Sequence, residues 1–251
     1  MNEEKALLAV PAHNEEKALL AIPAHNEERS IEGVVTTALT TGLPVVVVDD
    51  GSDDETALIA RNAGAVVLSL PVNLGVGGAR RCAYRYAVTH GYGCIAECDA
   101  DGQHPVTAIP DLIAKARSRD LDMLIGSRFT DGLEPTVEPS RLRRMAMRFL
   151  AHSASRAAGT RITDSTSGFR VIREPLLSAL AEGLPAYYLG DTYEAIVSAG
   201  RSGYRIGETA ITMTPRLHGT SSASALDAGR FVIRASVTGL LHLHERLSTR
   251  P

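Results

Sequence analysis

The sequence predicts an α/β fold with a mainly parallel central sheet and helices on both faces. Short, nearly continuous apolar runs alternate along the chain with segments of helical periodicity. Strands that are apolar on both sides are typical of parallel sheets buried between two helix layers. Polar clusters follow several of these strands at their carboxyl ends, where open α/β sheets bind ligands. A chain of 251 residues can form one such domain with its own core.

Each element can be assigned in order along the chain. The predicted elements are strand 18–23, helix 27–42, strand 45–50, helix 53–64, strand 65–70, helix 77–91, strand 93–101, helix 105–119 and strand 123–129. Asn26 is expected to cap the first helix through its side-chain oxygen. Gly64 and Gly91 are expected to end the second and third helices, because glycine readily adopts the positive φ of a helix terminus.

The chain begins with a tandem repeat. Residues 3–14 recur at 15–26 with eleven of twelve positions identical. Only the second copy is followed directly by a helix and the next strand, so residues 18–28 are assigned to the core. Residues 1–14 are then a duplicated peripheral extension. The alternative is that the first copy fills the strand position and the second is extruded.

Composition and charge narrow the classes of function. The net charge of −3 combines an excess of ten acidic side chains in residues 1–139 with an excess of seven basic ones in residues 140–251. An acidic half suits a divalent cation, and a basic half suits a phosphate-bearing partner or an anionic surface. No nucleic-acid partner is expected, because the chain has no basic overall charge, few aromatic residues and no matching motif.

The cysteines and the N-terminus predict a cytoplasmic protein. The three cysteines lack CxxC spacing, so reduced thiols are expected. The N-terminus has no signal-peptide pattern, and no apolar run approaches the roughly 20 residues of a transmembrane helix. A cytoplasmic protein that contacts the inner face of the membrane peripherally is the alternative.

The paired acids Asp99 and Asp101 carry the strongest chemical signal. They end an apolar strand, and residues i and i+2 of a strand project to the same side, so the two carboxylates are expected to converge. Carboxylates held together repel each other unless a cation or a proton intervenes. Mg²⁺ or Mn²⁺ prefers oxygen ligands and often shares one or two carboxylates with substrate phosphates. The alternative is that both acids only cap the loop.

Two further clusters follow the second and third strands. Asp49 and Asp50 end the second strand, and Asp50 is favoured to accept a hydrogen bond from a base N–H or a ribose hydroxyl, while the residues after Gly51 cap the next helix. The segment "NLGVGGAR" resembles a dinucleotide fingerprint, but Arg80 stands in place of the third glycine, which disfavours a hydride-transfer enzyme. Its glycines are expected to let the backbone approach a ligand, with Arg80 or Arg81 near phosphate or sugar.

The ordered motifs resemble those of family 2 glycosyltransferases. "PAHNEE", "VVDDGSDDET", "NLGVGGARR", "CDADGQHP", "IGSRF" and "DSTSGFRVI" occur in that family's order and spacing over about residues 18–222. The nearest likeness is to the dolichyl- or polyprenyl-phosphate mannose or glucose synthase branch. The resemblance implies a GT-A fold, a GDP- or UDP-sugar donor, Mg²⁺ or Mn²⁺ as cofactor, and hexosyl transfer with inversion at the anomeric carbon.

The resemblance and the motifs together assign roles to individual positions. The residues expected to bind the donor are Pro23, Ala24, His25, Glu27, Asp49, Asp50, Arg80, Arg81, Asp99, Ala100 and Asp101. Those expected to bind the metal are Asp99, Asp101 and Gln103. Those expected to bind the acceptor are Arg128, Arg143, Asp164, Ser167, Arg170, Arg216 and Ser221. The catalytic residues expected are Asp101 and Arg128, with Asp191 or Glu194 as the base for a hydroxyl acceptor. Asp191 and Glu194 also fit a solvated helix face.

The resemblance also sets the expected domain organisation. One GT-A domain covers residues 15–222, with a nucleotide-binding half at about 18–130 and an acceptor half at about 131–222. Residues 223–251 are expected to form a C-terminal amphipathic helix. The apolar stripe of that helix fits core packing, membrane-surface adsorption or dimerisation.

Several alternatives for the reaction stay open. The acceptor is expected to be a polyprenyl or dolichyl phosphate or another phosphate-bearing molecule. Met147 and Ser222 depart from that branch's pattern, so transfer to a hydroxyl of a small molecule or saccharide is the first alternative. A sugar-1-phosphate nucleotidyltransferase is disfavoured, because "PAHNEE" lacks the glycine-rich, arginine-bearing loop of those enzymes. A non-catalytic nucleotide-sugar sensor is disfavoured by the intact Asp99, Asp101 and Arg128.

Overall fold

Seven strands form a single sheet in the protein, which a computed structural model describes over residues 17–129, 141–183, 191–214 and 247. The strands are β1 Ala18–Ala24, β2 Val45–Asp49, β3 Val66–Ser69, β4 Cys94–Glu97, β5 Met123–Ser127, β6 Arg170–Arg173 and β7 Ile206–Ala210. Their order in the sheet is β3-β2-β1-β4-β6-β5-β7. β6 runs antiparallel to β4 and β5, and the other pairings of the described strands are parallel. The prediction of a mainly parallel sheet is therefore confirmed.

Helices cover both faces of this sheet. They are α1 Ile31–Leu39, α2 Thr56–Asn62, α3 Val76–Thr89, α4 Ile109–Ser118, α5 Arg141–Ala158, α6 Leu176–Gly183 and α7 Asp191–Arg201. Helices α3, α5, α6 and α7 pack with one core cluster, and α1, α2 and α4 pack with the other. Successive residues of β1 alternate between the clusters: Leu19 and Ala21 belong to the first, and Leu20 and Ile22 to the second. Alternation of side chains across an apolar strand produces this two-layer core.

The strand β1 comes from the second copy of the tandem repeat. It begins at Ala18 and pairs in parallel with both β2 and β4. The first copy, at residues 3–14, lies outside the described residues, as does all of the predicted C-terminal helix except Leu247. Leu247 is buried against the core cluster that contains α6 and α7. Among the described helices, none combines the length and the apolar character needed to cross a membrane.

The loop before α1 differs from the prediction. The helix begins at Ile31 after Ser30, four residues later than expected, so Asn26 does not cap it. Asn26 instead adopts a positive φ of 56°, donates its backbone N–H to Ser52 Oγ at 2.9 Å and accepts Asp53 N–H at 2.9 Å. Asn tolerates this conformation better than most residues. These hydrogen bonds hold the loop after β1 next to the loop after β2.

Candidate active site

The candidate site lies where β1, β2 and β4 end. Because these strands are parallel, their carboxyl ends meet at one edge of the sheet, and the loops that follow them are adjacent. Pro23 and Ala24 are the last residues of β1, and Ala24 O accepts the backbone N–H of Asp50 at 2.8 Å. His25 is exposed in the loop that follows. The structure thus gathers the predicted donor-side residues of the first two motifs at this edge.

Asp49 and Asp50 organise the donor-side loops. Asp50 is 4% exposed, and its Oδ1 accepts the Leu74 N–H at 2.7 Å, which holds the start of the glycine-rich segment against the loop after β2. Asp49 is 5% exposed and accepts the Ser52 N–H at 3.2 Å. Only glycine fits at position 51, because a Cβ there would lie 2.7 Å from the backbone carbon of Val72, at a φ of +67°. A role for Asp50 in recognising a base stays a prediction.

Glu27 fastens the first loop to the second. Its backbone N–H donates to Thr56 Oγ1 at 2.8 Å, and its carboxylate accepts the Ser30 hydroxyl at 2.7 Å. Asp54 receives both the N–H and the hydroxyl of Thr56 and the N–H of Glu28, and these hydrogen bonds lower its pKa in spite of partial burial. The prediction that Ser52 or Asp53 caps α2 is wrong, because Glu55 precedes that helix and no side-chain capping hydrogen bond forms there. Ser52 and Asp53 instead bond to Asn26 and connect the two donor-side loops.

Asp99 and Asp101 lie in a turn and not in a strand, since β4 ends at Glu97. Side-chain alternation along a strand therefore does not determine how the two carboxylates are placed. Within the turn, Asp101 Oδ1 accepts the Gln103 N–H at 3.0 Å, and Asp99 Oδ2 lies 3.7 Å from His104 Nε2. The convergence of the two carboxylates stays a prediction. The Asp99 side chain is 43% exposed, whereas Asp101 is 6% exposed.

Positive groups surround the Asp99 carboxylate. Arg80 Nη2 lies 3.5 Å from Oδ1, and His104 Nε2 lies 3.7 Å from Oδ2. Burial opposes ionisation of Asp99, but the charges of His104 in its protonated form, Arg80 and Arg128 outweigh burial and lower the pKa of Asp99. Asp99 is therefore an ionised and partly exposed carboxylate at neutral pH.

This donor set fits a divalent cation that shares its coordination with a substrate. Among the described residues, no group of three or more His, Cys, Asp or Glu side chains could hold a metal ion by itself. Mg²⁺ commonly uses one or two carboxylates together with substrate phosphates and waters, and the exposed, ionised Asp99 beside Asp101 meets that requirement. The backbone oxygen of Gln103 accepts hydrogen bonds from Thr214, which braces the same turn.

Gly168 was not identified from the sequence as a residue that shapes the turn containing Asp99 and Asp101, called the metal turn below. A Cβ at this position would lie 2.6 Å from Asp99 Oδ1 and 2.6 Å from Arg80 Nη2. Glycine therefore lets the Asp99 carboxylate pack directly against the backbone of the segment before β6. Its place within "DSTSGFR" was the available signal, but only the fold shows what it faces.

Arg128 carries an oriented positive charge on the other side of the site. Its Nε donates to Asp164 Oδ2 at 2.7 Å, and its Nη2 donates to Asp164 Oδ1 at 2.8 Å and to Thr166 Oγ1 at 3.0 Å. The Arg128 side chain is 36% exposed and that of Asp164 is fully buried. Burial opposes the charge of Arg128, but the paired Asp164 raises its pKa, and Asp99 adds to this effect. Asp164 thus orients Arg128 and is not placed to contact an acceptor itself.

Glu208 on β7 supports the loop that holds Asp164. Its carboxylate accepts the backbone N–H groups of Thr163 and Asp164 and the Thr163 hydroxyl, at 2.8–3.0 Å. No motif marks Glu208 in the sequence. Ser167, predicted to contact the acceptor, is instead buried and donates its hydroxyl to Gly126 O at 2.6 Å. It fixes the same loop to β5.

The structure also corrects the predictions for two arginines. Arg170 is fully buried on β6, where its guanidinium pairs with Glu97 and donates to the Tyr84 hydroxyl at 2.7 Å. A side chain enclosed in this way does not reach an acceptor. Arg81 faces α6 and donates to Glu182 O at 2.9 Å, so it does not line the donor site.

Arg80 was predicted to lie near the phosphate or sugar of the donor, but it is buried and pairs with Asp99. It is 4% exposed, its Nη1 donates to Thr192 Oγ1 at 2.8 Å, and its Nε lies 3.9 Å from Glu97. It therefore joins the metal turn to the first turn of α7. Glu194, two residues after Thr192, is 6% exposed, which contradicts the alternative of a solvated helix face for this residue.

The remaining predicted site residues lie outside what the structure describes. These are Arg216, Ser221 and the side chains of Arg143 and Asp191. Ala100 is described by the structure, where it lies between the two acids of the metal turn and is 4% exposed. The predicted roles of all five residues stay predictions.

The match of the chain to a family model shows which class of enzyme this fold and site belong to. The family model for glycosyl transferase family 2 matches residues 19–180, and the chain belongs to that family. This match confirms the resemblance inferred from the ordered motifs and the prediction that the protein is an enzyme that transfers a sugar.

Two relatives are named for the transfer of mannose to a prenyl phosphate or polyprenol. The chain is 30% identical over 212 residues to an undecaprenyl-phosphate mannosyltransferase from Micrococcus luteus, covering 82% of this chain and 86% of the relative. It is 28% identical over 208 residues to a polyprenol monophosphomannose synthase from Mycolicibacterium smegmatis, covering 78% and 76%. These relatives confirm the likeness to the prenyl-phosphate branch.

Solved structures share the fold. The glucosyl-3-phosphoglycerate synthase of Mycobacterium tuberculosis, in complex with Mn²⁺, uridine diphosphate and phosphoglyceric acid, matches with a TM-score of 0.69 at 20% identity. The match covers 92% of this chain and 80% of that one. At this level of identity the likeness establishes the fold alone, and it confirms the predicted GT-A architecture.

Proposed function

We propose that the protein is a metal-dependent, inverting hexosyltransferase that moves a sugar from a nucleotide-diphosphate donor to a phosphate-bearing acceptor. The observation that carries the proposal is the presence in one site of the Asp99 carboxylate, whose side chain is 43% exposed, and of the Arg128 guanidinium, which Asp164 orients. Asp99 suits a cation that binds the donor diphosphate, and Arg128 suits a second anion. An enzyme that joins a nucleotide-sugar donor to a phosphate acceptor requires both kinds of group.

On the donor side, Asp99 and Asp101 would hold Mg²⁺ or Mn²⁺ together with the donor diphosphate. A bound cation supplies charge neutralisation for the leaving diphosphate. The solved family-fold structures that contain Mn²⁺ or Mg²⁺ with uridine diphosphate support this assignment. Asp49, Asp50 and the loops that they organise would form the walls of the nucleoside pocket. Gln103 would be a further oxygen ligand of the metal.

On the acceptor side, Arg128 would grip the acceptor phosphate. Asp164 accepts hydrogen bonds from Nε and Nη2 of Arg128, and the Arg128 side chain is 36% exposed. A phosphate monoester is already anionic near pH 7, so it can attack the anomeric carbon without a general base. Attack from the face opposite the leaving diphosphate inverts the anomeric centre.

A prenyl phosphate is the acceptor favoured by the curated relatives, which are named for undecaprenyl phosphate and polyprenol substrates. Such an acceptor implies peripheral contact with a membrane surface. The second candidate is a hydroxyl acceptor with Glu194 as base. That candidate rests on the buried carboxylate of Glu194 two residues from Thr192, which contacts Arg80.

The experiment offers UDP- and GDP-hexoses with either undecaprenyl phosphate or a hydroxyl acceptor of similar chain length, with Mn²⁺, Mg²⁺ or a chelator. We expect transfer to the phosphate only, loss with the chelator, and a product of inverted anomeric configuration by NMR. Arg128→Gln should lower transfer strongly, Arg128→Lys should restore part of it, and Arg61→Gln on exposed α2 should leave it unchanged. Transfer to the hydroxyl acceptor, retention of configuration, or release of inorganic pyrophosphate would each contradict the proposal.

A further inference from the structure

His104 closes the turn that contains the two acids. The backbone N–H of Asp99 donates to His104 Nδ1 at 2.9 Å, across five positions of the chain. The other ring nitrogen, Nε2, lies 3.7 Å from Asp99 Oδ2. One imidazole therefore contacts both the backbone and the carboxylate of the same residue.

These contacts determine the tautomer of the ring. A backbone N–H can only donate, so Nδ1 must be the accepting nitrogen and carries no proton. The proton of the neutral ring is then on Nε2, the nitrogen that faces the Asp99 carboxylate. In this tautomer both nitrogens meet groups of complementary polarity, and the opposite tautomer would place two N–H groups against each other.

The surroundings fix this imidazole in orientation. His104 is 6% exposed, and its ring packs against Phe169 with centroids 5.1 Å apart. Because Nδ1 accepts the Asp99 N–H, that nitrogen carries no proton, so the ring is the neutral imidazole and acts through hydrogen bonds and shape.

We propose that His104 is a positioning residue for the metal site, one that fixes the backbone of Asp99 through Nδ1 and steers the Asp99 carboxylate through Nε2–H. It does not bind the cation itself. Loss of the ring leaves the Asp99 amide without its described side-chain partner and lets the carboxylate turn toward Arg80. The functional part of this inference rests on the proposed metal-dependent transfer.

Two amide substitutions separate the functions of the two nitrogens. In His104→Asn the side-chain oxygen occupies a place near Nδ1 and can still accept the Asp99 N–H, but nothing replaces Nε2–H. In His104→Gln the amide reaches the Nε2 position, and the acceptor at Nδ1 is lost. His104→Ala removes both, and His90→Asn, at the exposed end of α3, is the matched control.

The first test needs neither metal nor substrate. Nitrogen-15 NMR of the wild-type protein at pH 7.5 should find the His104 proton on Nε2, and hydrogen exchange should find the Asp99 amide protected. His104→Asn should retain that protection, and His104→Gln and His104→Ala should lose it. A proton on Nδ1, or an Asp99 amide equally protected in all variants, would overturn the proposal whether or not the protein proves to be a glycosyltransferase.

The second test measures Mn²⁺ binding by electron paramagnetic resonance, in the presence of UDP and, separately, GDP. Loss of one net hydrogen bond corresponds to about a tenfold change in an equilibrium constant. We expect His104→Gln and His104→Ala to weaken Mn²⁺ binding about tenfold or more, His104→Asn to weaken it less, and His90→Asn to match wild type. Equal Mn²⁺ affinity in folded His104→Ala would refute the positioning role. No Mn²⁺ binding to wild type would refute the proposed function instead, and the NMR and exchange results would still decide whether His104 positions Asp99.

Discussion

Asp164→Asn tests whether Arg128 acts through its orientation as well as its charge. The Asp164 carboxylate is fully buried and accepts two hydrogen bonds from the Arg128 guanidinium, at 2.7 and 2.8 Å. Asn keeps the shape and one accepting oxygen, but it places an NH₂ group against the arginine. The positive charge of Arg128 remains while its fork geometry is lost.

The magnitude follows from the geometry of this pair. A hydrogen bond to a charged group contributes about 1.5–3 kcal/mol. Because the Arg128 side chain is 36% exposed, water replaces part of what is lost, and the lower end of that range applies. About 1.5 kcal/mol corresponds to roughly a tenfold loss in kcat/KM for the acceptor. The KM of the nucleotide sugar should change little, because Asp164 acts through Arg128, which is proposed to bind the acceptor.

The assay is steady-state transfer with the acceptor and donor varied separately, accompanied by thermal unfolding. Asp120→Asn is the matched control, because Asp120 pairs with Arg205 at a solvent-exposed position where ion pairs contribute little. We expect an acceptor defect in Asp164→Asn and none in Asp120→Asn. A defect confined to the donor KM, or no defect in a folded Asp164→Asn protein, would refute the orienting role of this carboxylate.

Three further predictions concern the metal turn. Asp101→Asn should lower turnover by several powers of ten at saturating Mn²⁺, by analogy with other preorganised charge stabilisers, and near-normal turnover in a steady-state assay would contradict the metal assignment. Gly168→Ala should weaken Mn²⁺ binding more than it lowers the melting temperature, because the nearest atoms to its Cβ would be the side-chain ends of Asp99 and Arg80 and not backbone; a large loss of stability with intact Mn²⁺ binding would be the opposite result. The lowered pKa of Asp99 predicts that its contribution to the free energy of unfolding is present at neutral pH and is lost as the pH falls below 3.8. In acid-unfolding titrations, Arg80→Met should move that loss to higher pH. Arg85→Met should not, because Arg85 faces Ala181 on α6.

The positions of the site acids were predictable from the sequence because they depend on local pattern. Apolar runs placed the strands β1, β2 and β4, and parallel pairing then required their carboxyl ends to meet at one edge. Asp50 follows β2 directly and Asp99 comes two residues after β4 ends, so their arrival at a common edge needed no knowledge of side-chain contacts. Arg128 was assigned to the site by the resemblance alone and was expected inside a strand over 123–129, whereas it follows β5 immediately.

The roles of the arginines were not predictable, because they depend on contacts between distant parts of the chain. Arg170 was expected at the acceptor, but β6 enters the sheet antiparallel between β4 and β5 and turns this residue to Glu97, 73 positions away. Charged side chains are seldom fully buried unless they are paired, so an arginine in a polar motif is expected at the surface. Its burial follows from the position of Glu97, an acid within an otherwise apolar strand.

Supporting residues were missed for a related reason. Glu208 lies on β7 and carries no motif of its own, yet its carboxylate fixes the loop that holds Asp164. The loop bonds of Asn26 replaced a predicted helix cap, because Ser52 and Asp53 offered partners from the neighbouring strand end. Side chains that hold loops across a sheet edge become visible only once the strand order is known.

The most direct test of the account is to locate the cation. Crystals grown with Mn²⁺ and a nucleoside diphosphate, measured for anomalous scattering at the manganese edge, would show where the ion binds. We predict one strong peak in contact with the Asp99 and Asp101 carboxylates and with the diphosphate oxygens. A diphosphate bound without a peak at these carboxylates, or a peak held by other residues, would contradict the account.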